Sequence, residues 1–391
     1  MKKLLLIVSA ILLLAACKER KPLSLETVRS EMWRCPDASQ LDGQDGRLKW
    51  NYTTGLELKA FLDVWHRYAD SNILSYVDSW YDRMIGQDGS ILTYKRSNYS
   101  TDHICPGTTL FELWQATGKD KYRMAIDTLR AQLDTHPRTQ SGNFWHKAVY
   151  PHQVWLDGLF MAQPFYARYT AEFEAPERKD SCFADIASQF VQAARVTFDP
   201  QTKLYRHAWD ESRSMFWADP SSGQSAHAWG RALGWYCMAL VDVLPMLPPP
   251  TPSREEMIGI LRGIYDQLPR YADPATGMWY QVLDCPGKEG NYVEATCSAM
   301  FVYTWLKGCR LGYLDNVEGA KEAFGKLVKT FVTDEGGVVN LERCCEVAGL
   351  GGKNNRKGDY AYYIGERIRA NDPKGIGPLI WAALEMDMLT Q

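Results

Sequence analysis

The sequence is poor in several features that would assign it to familiar classes. Its charge is nearly balanced, 44 basic against 47 acidic residues for a formal net charge of −3. That leaves no basic footprint for nucleic acid. Its ten cysteines include no CxxC pair and no Cys/His spacing of a zinc site. Beyond the N-terminal segment, no apolar run is long enough to cross a bilayer. There is no low-complexity stretch, no Ser/Gly linker and no fixed repeat period that would mark a solenoid.

What is present begins at the N-terminus. Met1-Lys2-Lys3 is a basic head, and Leu4 to Ala16 is an apolar run too short for a permanent membrane helix. Leu14-Ala15-Ala16-Cys17 resembles a bacterial lipobox, with polar Lys18-Glu19-Arg20-Lys21 after it. The expected organisation is a lipoprotein signal peptide over 1–16 and an anchor linker over 17–24, with Cys17 lipidated. The chain is then an exported bacterial lipoprotein of the periplasm or cell envelope, held to the membrane only through its lipid. Setting Cys17 aside leaves an odd number of cysteines, so at least one is unpaired within the chain. Cys285, Cys344 and Cys345 are the disulfide candidates of an exported protein, and Cys237 and Cys297 look like core residues.

Two kinds of helical segment alternate along the rest of the chain. Gly55–Tyr68, Pro106–Thr117, Trp155–Tyr169, Arg231–Leu244, Thr296–Leu311 and Gly377–Leu389 are apolar on more than one face, as fully buried helices are. Leu25–Met32, Asn72–Ile85, Tyr122–Leu133, Phe183–Phe198, Arg254–Leu268 and Val317–Val332 place apolar residues at helical spacing on one face. Six buried helices alternating with six half-wet ones predict an all-α, single-domain (α/α)6 barrel over residues 25–391. Pro248-Pro249-Pro250-Thr251-Pro252 reads as a turn between helices. The loops Trp145–Val154 and His207–Ala228 are long and rich in Trp, His, Asp and Gly, which marks a functional mouth.

Two acids stand at starts of buried helices. Asp157 lies in Trp155-Leu156-Asp157-Gly158-Leu159-Phe160-Met161, and Asp102 in Ser100-Thr101-Asp102-His103-Ile104-Cys105-Pro106-Gly107. Asp in such a place is also an ordinary helix cap. The apolar crowd around Asp157 favours a buried carboxyl of raised pKa instead. Arg231, inside the apolar stretch Trp229-Gly230-Arg231-Ala232-Leu233-Gly234-Trp235, demands an anionic partner, from the protein or from a ligand. His146, Lys147, His207 and Trp209 complete a set in which aromatic faces accompany carboxylates, as at sugar sites.

Asp102-His103-Ile104, Trp145-His146-Lys147, Gln153–Met161, His207-Ala208-Trp209-Asp210, Trp229–Trp235 and Asn371–Pro378, taken in order, resemble glycoside hydrolase family 105. Family 88, acting on unsaturated glucuronides, is similar in fold and in its paired aspartates. The resemblance implies an unsaturated rhamnogalacturonyl hydrolase. Asp157 matches the family's acid/base and Asp102 its partner aspartate, expected to raise the Asp157 pKa. Tyr52, His146, Lys147, His207, Trp229, Arg231 and Trp235 match pocket positions, with Arg231 or Lys147 on the uronate carboxylate. Gly158 departs from the Thr that relatives carry there. The implied partner is a small unsaturated oligosaccharide, with no metal or organic cofactor. The alternatives are a glucuronyl hydrolase of the family 88 type, an ordinary inverting glycosidase and a non-catalytic glycan-binding lipoprotein.

Overall fold

The structure, a computed structural model, describes residues 21–43 and 46–390. The signal segment and Cys17 lie outside them. Twelve helices build a double ring. The inner ring is α2 (Tyr52–Tyr68), α4 (Gly107–Thr117), α6 (Leu156–Glu172), α8 (Gly230–Val243), α10 (Ala295–Arg310) and α13 (Pro373–Leu389). Each packs on the next, and α13 closes back on α2. The outer ring is α1 (Leu23–Arg34), α3 (Ser71–Met84), α5 (Asp120–Asp134), α7 (Pro176–Thr197), α9 (Arg254–Gln267) and α11 (Val317–Phe331). The expected (α/α)6 barrel is therefore the fold, and all twelve anticipated segments are helices in it.

Burial explains the division. In α8 every residue from Gly230 to Val241 is buried. In α11 only Ala320, Ala323, Leu327 and Phe331 are, a single stripe at helical spacing. Each fully buried Leu or Phe contributes about 1.5–3 kcal/mol over its exposed state, so the inner ring carries most of the core. Glycines let its helices touch. A Cβ on Gly55 would lie 2.5 Å from the Pro106 Cβ, and one on Gly234 2.7 Å from the Met300 sulfur.

Helix starts are fixed by side-chain caps. Asn51 accepts from the Thr54 amide at 2.8 Å to open α2, Glu294 opens α10 and Asp372 opens α13. Short strands tie the mouth together. β1 (Gln153–Trp155) pairs antiparallel with β2 (Ala208–Asp210), setting Trp155 opposite Ala208. β3 (Val332–Glu335) and β4 (Val338–Leu341) form a hairpin through Gly336 and Gly337, both at positive φ. β5 (Cys344–Cys345) pairs with β6 (Ile368–Arg369), flanking the short helix α12 (Tyr360–Gly365). All nine cysteines of the described residues are free thiols, so Cys285, Cys344 and Cys345 form no disulfide.

Candidate active site

The mouth formed by the inner-helix N-termini gathers the anticipated residues. Tyr52 is the first residue of α2, Asp157 the second of α6, and Arg231 the second of α8. Asp102 sits in a single 3-10 turn, Thr101–His103, ahead of α4. Neither acid is a helix cap, because α6 is capped at Trp155 and α4 at Pro106. Backbone hydrogen bonds join the loops that carry them. The His146 amide donates to Gln153 O at 2.8 Å, the Thr101 amide to His146 O at 3.1 Å, and the Leu156 amide to His207 O at 3.1 Å. Asp102, His146, Asp157 and His207 are thus held in one frame.

Lys147 Nζ lies 2.5 Å from Asp102 Oδ2, and His146 Nε2 lies 3.7 Å from Asp102 Oδ1. Burial acts to raise the Asp102 carboxyl, but Lys147 and then His146 outweigh it and hold it below the ordinary carboxylate range. His207 Nε2 approaches Asp157 Oδ2 to 3.2 Å, without the alignment of a good hydrogen bond. Burial again pushes the Asp157 carboxyl up, and the charges of His207 and His146 override it, leaving it lowered. This corrects the expectation that Asp102 raises Asp157 by like-charge repulsion. Lys147 neutralises Asp102, so Lys147 is also committed to a protein acid. Burial pushes the His146 imidazole down to about 4.

Arg231 is 1% exposed. Its guanidinium donates to Cys345 O at 2.5 Å and lies 4.6 Å from the Trp229 ring centre. Among the described residues it forms no ion pair. The carboxylates of Asp372 and Glu294 act on it only through space, so its donor fork has no anion in direct contact. Tyr52 is half-buried, its phenol pushed up by burial, and the charges of Arg231, Asp102, Asp157 and Asp42 also act on it.

The aromatic groups divide into two roles. Tyr150, Trp155 and His146 form a stack, with centres 5.1 Å and 4.5 Å apart. It holds His146 flat beside the acids. Trp229 packs on His207 at 4.7 Å, and Trp235 on Phe160 at 4.7 Å and Tyr52 at 6.4 Å. Both tryptophans are fully buried, so they back the polar groups from behind.

Sequence reasoning missed Tyr363, whose hydroxyl meets His207 Nδ1 at 2.7 Å. The only signal was a dense aromatic patch, Tyr360-Ala361-Tyr362-Tyr363, in a segment without helical periodicity. His227, Asp284 and Cys285 come within metal-ligating range of one another. Asp284, however, already takes Arg206, His227 and the Ala228 amide on its two oxygens. A cavity of about 490 Å³ opens at the opposite mouth, between the C-terminal halves of the inner helices. Most of its charges are mutually paired, as in Lys59 with Asp63 at 2.6 Å and Lys307 with Asp242 at 2.7 Å. It lies apart from the acid pair.

Two carboxylates, an unpaired buried guanidinium and stacked rings at one end of an (α/α)6 barrel are the equipment of a sugar-cleaving hydrolase. The comparisons agree. Residues 24–390 match Glycosyl Hydrolase Family 88, and the chain belongs to that family. Protein Atu3128 of Agrobacterium fabrum is 39% identical over 243 residues, which is 59% of this chain and all of that one. The unsaturated rhamnogalacturonyl hydrolase YesR of Bacillus subtilis is 28% identical over 256 residues, 64% of this chain and 68% of the relative. A solved glycoside hydrolase of family 105 from C. acetobutylicum superposes with a TM-score of 0.88 at 41% identity, covering 94% of this chain and 100% of that one.

Proposed function

We propose that the protein hydrolyses unsaturated galacturonyl-rhamnose oligosaccharides, the products that lyases leave from pectin. Such a sugar carries a C4=C5 double bond conjugated to its carboxylate, and the ring oxygen makes the bond a vinyl ether. The observation that carries this reading is Arg231. A buried guanidinium in direct contact with no protein carboxylate, on the same ring of inner-helix starts as Asp157, calls for an anionic ligand whose reacting carbon lies close to its charge. A uronate whose alkene begins at the carbon bearing the carboxylate satisfies that.

The proposed reaction runs as a hydration. The substrate carboxylate settles on Arg231 and brings negative charge and dehydration to Asp157. Both raise its proton affinity, so the proton held by the His207–Asp157 pair moves to the carboxyl. Asp157 delivers it to C4, and positive charge spreads over C5 and the ring oxygen. The freed carboxylate takes a proton from water as that water adds to C5. The hemiketal opens by breaking C5–O5, and the hemiacetal left at C1 expels the second sugar. One residue thus serves as acid and then as base, and the carboxylate-separation rules of ordinary glycosidases do not govern the outcome. Asp102, fixed by Lys147, accepts from the sugar hydroxyls.

The test is turnover of unsaturated rhamnogalacturonan disaccharide, followed by loss of the enoate ultraviolet band. Turnover only of an unsaturated glucuronyl disaccharide would move the substrate to the glycosaminoglycan class. Cleavage of saturated sugars with the band retained would mean an ordinary glycosidase. Export as a lipoprotein belongs to the same proposal, and metabolic palmitate labelling that disappears in Cys17→Ala tests it.

A further inference from the structure

Behind the acid lies a row of three groups. The Tyr363 hydroxyl is 2.7 Å from His207 Nδ1, and His207 Nε2 is 3.2 Å from Asp157 Oδ2. The phenol and the imidazole are both wholly buried. Tyr363 is held in place independently of His207. Its ring stacks on Trp229 at 5.9 Å, and its carbonyl accepts from Gln281, whose own oxygen accepts from the Trp229 indole at 3.1 Å. Other polar groups around the row are His146 beside Asp157, and Tyr362, Asp284, Arg356 and His227 around Tyr363.

We infer that Tyr363 is a positioning residue which, through His207, sets whether Asp157 holds the proton that the reaction consumes. This rests on Asp157 being the acid.

The proton count shows how. A hydroxyl both donates and accepts. When Tyr363 donates to Nδ1, the neutral imidazole has its hydrogen on Nε2, facing an ionised Asp157. When the row gains one proton, Nδ1–H donates to the Tyr363 oxygen. The added proton then sits on Nε2 or crosses to Asp157, and Nδ1 keeps a partner either way. The transfer to the carboxyl therefore leaves Nδ1 paired throughout.

Removing only the hydroxyl tests this. In Tyr363→Phe the ring and its stacking survive. The proton-loaded state is left with a buried N–H lacking an acceptor, cationic while the proton is on Nε2. The proton-poor state loses only a donor to a neutral lone pair, and charge-assisted bonds are the stronger. The loaded state is therefore penalised more. The pH at which kcat falls on the basic side should move down by about one unit, so that kcat above that limb drops about tenfold. KM should stay within about twofold, since Tyr363 does not touch the sugar. A uniform drop in kcat at every pH, or a limb that does not move, overturns the inference.

A second measurement needs no substrate. In protein labelled with ¹⁵N-histidine, the His207 ring nitrogens, assigned by their loss in His207→Asn, should titrate about one unit lower in Tyr363→Phe. An unmoved titration overturns the inference even if Asp157 proves to be the acid. Full activity of Asp157→Asn alongside a shifted His207 titration would remove the reading of the acid and leave the coupling in place.

Discussion

Lys147 Nζ and Asp102 Oδ2 stand 2.5 Å apart at the barrel mouth. With its charge balanced there, Asp102 is held ionised. Lys147→Met should therefore cost stability as well as activity. Losing a charge-assisted bond costs about 2 kcal/mol near neutral pH. The Asp102 pKa is lowered by folding, so its contribution is complete above the ordinary carboxyl value of about 4 and fades as pH falls through the lower folded value. Urea unfolding across that range should show the two proteins converging in acid. A gap that stays constant would mean that the lysine acts by packing.

Histidine burial makes a second pH effect. His146 and His136 are each pushed down to about 4 by burial. An unfolded histidine binds its proton at about 6.5. Between these values the unfolded chain holds more protons, so stability falls as pH falls, by up to roughly 3 kcal/mol for each residue. Denaturation midpoints at about pH 7 and about pH 4.5 should differ accordingly, and less in His146→Asn. Equal slopes in the two proteins would contradict the assignment.

Gly158 tests how tightly the His146 side is built. A Cβ there would stand 3.2 Å from His146 Nδ1 and 3.5 Å from Thr101 Oγ1, and those two atoms are 3.1 Å from each other. Gly158→Ala gains up to about 1 kcal/mol of helix propensity, against about 1–3 kcal/mol for crowding a packed site. Crowding should win, lowering both Tm and kcat as His146 is pushed from Asp102. A rise in Tm with unchanged kcat would show that the imidazole yields freely.

Arg231 should act on binding. Arg231→Ala is expected to raise KM for an unsaturated uronide about 10–100-fold, the value of a charge-assisted pair of about 1.5–3 kcal/mol. Unchanged kcat and KM would make Arg231 a support for the Cys345 carbonyl and nothing more.

Much of this was readable before any coordinates. A helix apolar all round, as Ala232–Val241 is, can only be an inner one, and the stripe of Ala320, Ala323, Leu327 and Phe331 can only be an outer one. Asp157 and Arg231 stood out because a charge in such company needs a reason. The pairings were not readable. β1 and β2 are three residues each, too short for any alternation to show, yet their register brings His207 beside Asp157. Tyr363 comes from α12, a six-residue helix too short to show a period, over 150 residues from its partner. The direction of the Asp157 shift depended on those contacts, and so it was misjudged from burial alone.

The most direct test of the central claim is the fate of C4 during turnover in heavy water. With unsaturated rhamnogalacturonan disaccharide the wild-type protein should place one deuterium at C4 of the keto product as the enoate band disappears, and Asp157→Asn should do neither while still binding the sugar. Wild-type product that keeps its double bond, or an Asp157→Asn protein that deuterates C4 at the wild-type rate, would contradict the account.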